Sequence, residues 1–335
     1  MKSIQTTNNF DEILSTIQKS KQKAMKQVNS TLIELYWNIG EYISQKTIQE
    51  NWGKSVVKEL EVFIKNKEPD IKGFTSRNLW RMKQFYETYS DNKKVSSLLT
   101  QITWTNNLLI LSAAKSEEER EFYLLLTSKA QYSSRELERQ IRSGIFERTI
   151  LANEKLSDNI KNLPQNVTNV FRDSYSLEFL DLPYKHKEKE LQKALIGSLK
   201  EFILELGVGF AFIGEEYRVQ VGNEDFYIDL LFYHRHLKCL VAFELKISKF
   251  KPADLGQLEF YLEALDRDIK NDDENPSIGI LLCREKDDEV VEYALNRSVS
   301  PAIISEYETK LIPKKILQQK LNELYEIYEL DDNKE

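Results

Sequence analysis

The sequence predicts two folded regions of different class: an all-α domain over residues 10–150 and an α/β domain over residues 186–325 with a mixed sheet flanked by helices. A connector over 151–185 joins them. Three observations carry this reading. Apolar residues recur at spacings of three and four through the first region. From residue 186 the segments follow the order α-β-β-β-α-β-α-β, which implies strands covered on both faces. The 335 residues suffice for two hydrophobic cores.

Taken in order, "SKQKAMKQVNSTLIELYWNIGEYISQ" sets Ala24, Val28, Leu32, Leu35, Ile39 and Ile43 along one long amphipathic helix. A second helix follows at "SVVKELEVFIKN". In "GFTSRNLWRMKQFYETY", Thr75 or Ser76 is a ready N-cap, and Leu79, Met82, Phe85, Tyr86 and Tyr89 form the apolar stripe. A short helix at "ITWTNNLLILS" comes next. "SEEEREFYLLLTSKAQ" carries a capping-box spacing from Ser116 to Glu119, and "SSRELERQIRSGIFERTI" repeats the arrangement from Ser133 or Ser134. The connector is polar and holds two of the seven prolines, so only short helical turns are expected there.

In the second region "HKEKELQKALIGSLKEFILELG" reads as one amphipathic helix ending at Gly207. "FAFIGEEYRVQVG" and "EDFYIDLLFYH" read as a hairpin turning at Gly222–Asn223. "KCLVAFELKIS" is a nearly all-apolar third strand. Pro252 opens the helix "PADLGQLEFYLEALDRD". A buried strand "SIGILLCRE", a helix "KDDEVVEYALNRS" and a short strand "PAIISEYE" complete the domain.

Composition is that of a water-soluble chain, with 41% apolar and 30% charged residues. No apolar run approaches the roughly 20 residues of a membrane span. The N-terminus lacks the apolar core and cleavage site of a signal peptide, so the expected location is the cytoplasm. Two cysteines without a CxxC partner read as buried thiols in a reducing compartment. Three scattered histidines argue against a zinc site. The net charge of −7 is uneven: residues 1–150 carry 23 basic against 18 acidic side chains (+5), the remainder 24 against 36 (−12). A mildly basic first half suits a binding domain, and an acidic second half suits a centre that gathers carboxylates.

Chemistry concentrates in Tyr227 to Ser248, "YIDLLFYHRHLKCLVAFELKIS". Asp229 and Glu244 lie in runs that otherwise read as buried strand, where an unpaired carboxylate costs several kcal/mol. Lys246 shares the face of Glu244. On neighbouring strands the three side chains converge at one edge of the sheet. Two carboxylates with open oxygens suit a hard divalent cation, Mg²⁺ or Mn²⁺, and the Leu245 carbonyl between Glu244 and Lys246 offers another ligand. A lysine beside them can orient or deprotonate water, or steady charge building on phosphorus. The alternative is a salt bridge at a strand end, worth about 0–1 kcal/mol if exposed.

This arrangement resembles the PD-(D/E)XK nuclease superfamily, whose acid on one strand and E-x-K on the next are matched by Asp229 and Glu244-Leu245-Lys246. Gln257 and Tyr261 in "GQLEFYLEAL" resemble the Q-x-x-x-Y motif of its exonuclease-like branch. The resemblance implies that they support the metal site and the nucleic-acid backbone. The segment from "FAFIGEEYRVQV" to "GQLEFYL" is similar to the nuclease domain of the bacterial YhcG family. "LYWNIGEYI", "GFTSRNLWRMKQFYE" and "ITWTNNLLIL" are similar to that family's helical N-terminal domain. Superfamily members also carry an acid on the first core helix. Here that acid is Glu188, on the stripe of Leu191, Leu195, Leu199 and Phe202, with Glu190 in reserve. One turn further, where another acid is expected, stands Gln192.

The resemblance implies a PD-(D/E)XK, restriction-endonuclease-like C-terminal domain preceded by a helix-turn-helix-like helical domain that binds DNA. "SRNLWRMKQFY" then reads as a second helix of that motif, with Arg77, Arg81 and Lys83 toward phosphates, or as an ordinary solvated face. Arg135, Arg139 and Arg142 form a second candidate phosphate stripe, and Tyr261 a contact in the nuclease domain. The expected activity is a Mg²⁺-dependent endo- or exodeoxyribonuclease, in foreign-DNA defence or in repair or recombination. A non-catalytic scaffold and an RNA substrate are the competing readings. Expected partners are DNA and proteins of a restriction–modification or other defence system, with no membrane. The amphipathic "KKILQQKLNELYEIYEL" can serve a homodimer or pack on its own domain.

Overall fold

The computed structural model describes residues 2–92, 94–152, 163, 167, 170–183, 185–296, 298 and 300–332. It forms two compact units, Met1–Ile141 and Arg142–Glu335.

The first unit is helical. Its elements are α1 (Lys2–Gln49), α2 (Lys54–Lys67), α3 (Ser76–Tyr89), α4 (Ser96–Leu99), α5 (Trp104–Ala113), α6 (Glu117–Ala130) and α7 (Ser134–Arg142), the last reaching the boundary. Thr75 caps α3 by accepting from the Asn78 N–H, and Ser116 and Ser133 cap α6 and α7 in the same way. The core joins Tyr36 and Ile43 of α1 to Val57, Leu79 and Met82. Gly40 lets α1 approach α3 closely, since a Cβ there would collide with the Met82 carbonyl. The buried face of α1 is therefore Ile33, Tyr36, Gly40 and Ile43. The stripe expected from periodicity meets this face only at its end: Ile43 is buried and Ile39 packs against the core, whereas Ala24, Val28, Leu32 and Leu35 are exposed. Both sets have helical spacing, and the small Gly40 lets the buried one approach α3.

The second unit begins with α8 (Ile145–Leu151) and is built on a six-stranded sheet, β1 (Ser174–Ser176), β2 (Phe210–Val221), β3 (Glu224–His234), β4 (Cys239–Leu245), β5 (Ile278–Cys283) and β6 (Ala302–Glu308). The order is β1-β6-β5-β4-β3-β2. The strands β2, β3 and β4 pair antiparallel, and β4, β5, β6 and β1 pair parallel. Gly222, at φ +63°, turns the β2–β3 hairpin in the conformation such a turn demands. The expected helix over 186–207 is broken at Ser198 into α9 (Glu188–Gly197) and α10 (Leu199–Leu206). Strand β1 falls within the stretch read as a connector, three residues being too short to show a period.

Helices cover both faces. Leu191, Leu195 and Phe202 from α9 and α10 pack with Leu230, Phe232, Val241 and Phe243. On the other face α11 (Ala253–Asp268) and α12 (Asp288–Leu295) bring Leu258, Tyr261, Leu262 and Val291 against Leu231, Leu240, Ala242 and Leu281. All seven residues of β4 are buried, as an interior strand covered by helices on both faces requires. The final helix, α13 (Lys314–Asp332), packs on α8 of its own unit. Lys314 Nζ lies 3.4 Å from Glu147, and Leu317 and Leu321 are buried. Among the described residues no helix is long and apolar enough to cross a membrane.

Candidate functional site

Strands β3 and β4 run in register from His234–Cys239 to Leu230–Phe243, and the next step brings Asp229 opposite Glu244. These are interior strands, with β5 beyond β4 and β2 beyond β3. The acids therefore meet at the C-terminal end of β4 within the sheet and not on its edge strand. The chain cannot show this locally, because β5, which shields β4, comes over 30 residues later.

Each group is held from a different direction. Asp229 Oδ2 accepts the Leu245 N–H at 2.8 Å. The Asp229 carbonyl accepts from Gln192 Nε2 of α9 at 3.0 Å. Lys246 Nζ donates to Glu244 Oε1 at 2.8 Å, and the Lys246 N–H bonds the Leu282 carbonyl at 2.9 Å. Glu244 is buried, and among the described residues its Oε2 has no hydrogen-bond partner. Burial, and then the charge of Asp229, push the Glu244 carboxyl up to about 7 against the pull of Lys246. Burial also raises Asp229, opposed by the Leu245 N–H. For Lys246 burial works downward, but the bond to Glu244 and the surrounding acids outweigh it and hold the ammonium charged.

The remaining candidates divide. Gln257 and Tyr261 share one face of α11, and Gln257 Nε2 donates to the Tyr261 hydroxyl at 2.7 Å. Tyr261 is buried, and burial raises its pKa, with Glu244 and Asp229 adding to the rise. Glu188 is exposed in the first turn of α9, yet its charge acts on Asp229, Glu244 and Lys246. Glu190 is engaged at the helix start, accepting from the Lys187 N–H at 2.8 Å. Gln192 has a specific task that sequence reasoning did not assign, holding the backbone of β3 beneath Asp229. The signal was a polar residue on an otherwise apolar stripe.

Among the described residues no group of three or more His, Cys, Asp or Glu side chains forms a metal cage. The donor set is instead two carboxylates and the Leu245 carbonyl. That set suits Mg²⁺, which keeps several waters and is bound through one or two carboxylates and substrate phosphates. The bare Glu244 Oε2 facing a second acid fits such an ion, because a cation supplies the missing partner and offsets the repulsion.

The expected cations of α3 and α7 differ in availability. Arg77 is exposed and makes no ion pair among the described residues. Arg81 bonds Ser112 Oγ at 2.7 Å. Lys83 pairs with Glu87 at 2.6 Å and sits 5.6 Å from the Trp80 ring centre. Arg135 and Arg142 are exposed, whereas Arg139 is held by both oxygens of Glu136. The two stripes thus present Arg77, Arg135 and Arg142 to solvent without a charge partner among the described residues.

Two family models match the chain: the YhcG PDDEXK nuclease domain over residues 168–322 and the DUF1016 N-terminal domain over residues 12–148. The chain is similar to a protein of Escherichia coli (strain K12) named "Putative nuclease YhcG", with 30% identity over 349 aligned positions, 93% of this chain and 92% of that one. Among solved structures, it has a likeness to a repair endonuclease from Pyrococcus abyssi, with 17% identity and a TM-score of 0.26 over 39% of this chain and 50% of that one. An EndoMS–dsDNA complex matches at 18% identity and a TM-score of 0.26, over 38% and 49%.

Proposed function

The chain belongs to the YhcG family of PDDEXK nucleases, and from that premise we propose that it hydrolyses DNA phosphodiester bonds with Mg²⁺ or Mn²⁺ held by Asp229, Glu244 and the Leu245 carbonyl. The observation that carries the reading is the pair of facing acids, one with a buried, unpartnered oxygen, beside a charged lysine. A divalent ion bound there neutralises phosphate charge and favours ionisation of water.

The chain's own groups do the rest. The Leu245 N–H and Gln192 fix Asp229 from its side chain and its backbone. Lys246 donates one N–H hydrogen bond to Glu244 and has two more N–H donors for the attacking water or a phosphate oxygen. Tyr261, its hydroxyl held by Gln257, backs the acids and can donate to the nucleic-acid backbone. Glu188 adds negative charge at the mouth of the site, which strengthens cation binding.

The helical N-terminal region, read as helix-turn-helix-like, holds the duplex through Arg77, Arg135 and Arg142. A reader joined to a nuclease suits defence against foreign DNA, with repair or recombination as the other role. Two free, buried cysteines agree with a cytoplasmic setting.

The test is cleavage of supercoiled, linear and single-stranded DNA by the full chain, with Mg²⁺ and with EDTA. Metal-dependent cutting, lost in Asp229→Asn and Glu244→Gln, is expected. Absence of cutting on every DNA would favour a non-catalytic scaffold, and cutting in EDTA would overturn the metal reading.

A further inference from the structure

The acids that suit a metal ion work against the DNA proposed to bind there. Asp229, Glu244 and Glu188 gather negative charge near one end of β4, and residues 151–335 carry 24 basic against 36 acidic side chains. A polyanion approaching this unit needs cations close to the site. The chain leaving β4 supplies them. Lys246-Ile247-Ser248-Lys249-Phe250-Lys251 holds three lysines in six residues and no acid.

This segment is held in place although it lies beyond the strand. Its backbone stays bonded to β5 and the residues after it. The Lys246 N–H donates to the Leu282 carbonyl at 2.9 Å, the Arg284 N–H to the Ser248 carbonyl at 3.2 Å, and the Phe250 N–H to the Glu285 carbonyl at 2.8 Å. Lys249 forms an isolated parallel bridge with Glu285. Phe250 is buried in the core under α11 and α12, while Lys249 and Lys251 on either side of it are exposed. Two ammonium groups thus flank one buried anchor. Lys251 makes no ion pair among the described residues. Lys249 meets Asp287 at 3.4 Å, with the two side chains 53% and 45% exposed. A pair so open to solvent contributes little and can be exchanged for a phosphate.

An extended chain advances about 3.3 Å per residue, so Lys249 lies at most about 10 Å from Lys246 along the backbone, and Lys251 at most about 17 Å. One DNA strand rises about 3.4 Å per nucleotide, which puts the two lysines within roughly three and five nucleotides of a phosphate at Lys246. We propose that Lys249 and Lys251 bind the phosphate backbone of the substrate beside the bond that is cut. The proposal rests on Asp229, Glu244 and Lys246 being the nuclease centre. It gives the nuclease unit a DNA contact of its own, one that positions the strand without reading its sequence.

Lysine acetylation of the full chain, read by mass spectrometry with and without a short duplex in Ca²⁺, tests the contact whether or not the chain cuts. Lys249 and Lys251 should lose most of their labelling when duplex is present. Lys238, exposed at the opposite end of β4, should label equally in both. Lys249→Ala/Lys251→Ala should flatten the plot of log Kd against log salt by roughly 2. The same variant should keep the melting curve and its rise with Mg²⁺, and should raise KM for cleavage with kcat unchanged. Lys249→Arg/Lys251→Arg should restore the slope, since a phosphate accepts either cation. Unchanged labelling of both lysines, or an alanine variant with the wild-type slope and KM, would overturn the proposal and leave the nuclease centre standing. Protection of both lysines on a chain that cuts no DNA would uphold the contact and overturn the nuclease reading.

Discussion

Lys246 Nζ lies 2.8 Å from Glu244 Oε1, while the other oxygen of Glu244 is buried without a partner among the described residues. Half of this carboxylate is thus satisfied by the chain and half is left for something else. Asp229, on the next strand, adds a like charge. Such an arrangement is unfavourable as pure scaffold, because a buried unpaired oxyanion costs several kcal/mol.

Divalent metal should therefore stabilise the protein. At a concentration 100 times Kd, binding contributes about 2.7 kcal/mol, which raises Tm in calorimetry or a dye-based melt. Asp229→Asn and Glu244→Gln should each abolish the metal-induced rise. Neither should lower the metal-free Tm by much, since each removes one of two repelling charges. A full metal response in both variants would remove these residues from the site.

Lys246→Ala should retain metal and DNA binding yet lose about 10²–10⁴-fold in hydrolysis, the usual contribution of a positioned proton-transfer group. Lys246→Arg should not restore the rate, because a planar guanidinium presents its donors in a different geometry from the compact ammonium held beside Glu244. Rescue by arginine in single-turnover cleavage would make Lys246 a fixed charge. Wild-type cutting by the alanine variant would leave only a salt bridge.

The cations of the first unit should differ according to their partners. Arg77→Ala/Arg135→Ala in the full chain should weaken duplex binding and flatten the plot of log Kd against log salt by roughly 2, about one for each phosphate no longer neutralised. Lys83→Ala and Arg139→Ala should have smaller effects, because Glu87 and Glu136 already hold those side chains. Fluorescence anisotropy over a salt series separates the two outcomes. Equal effects from all four positions would mean that the intramolecular pairs open on binding.

Acid should destabilise the second unit through His234. The ring is buried, its Nε2 faces the Val208 carbonyl at 3.1 Å, and its Nδ1 accepts the Leu237 N–H at 3.1 Å. Nδ1 must therefore stay unprotonated. Burial, aided by nearby His236, pushes the pKa below its ordinary 6.5. The unfolded chain then binds this proton more readily than the folded one. The stabilisation is complete above about 6.5 and is lost as pH falls through the folded value. His234→Gln should give a shallower decline of stability as pH falls below about 6.5 in denaturant melts. An unchanged slope would assign the acid sensitivity to other groups.

By itself the sequence determined the helical and α/β division, the hairpin turn at Gly222–Asn223 and the cap at Ser116, and it narrowed the caps of α3 and α7 to Thr75 or Ser76 and to Ser133 or Ser134. These are local consequences of period, of left-handed backbone and of side-chain oxygens three residues before an N–H. The same was true of Asp229, Glu244 and Lys246 as a group, since acids inside apolar strands stand out against the residues around them. Tertiary structure decided what depends on neighbours distant in the chain. It placed β4 inside the sheet by adding β5 and β6, recruited β1 from a segment too short to show a period, and broke the helix at Ser198. It engaged Glu190 at the start of α9 and gave Gln192 its bond to β3. It also set which face of α1 meets α3, because Gly40 lets the Met82 carbonyl come closer than a Cβ would allow.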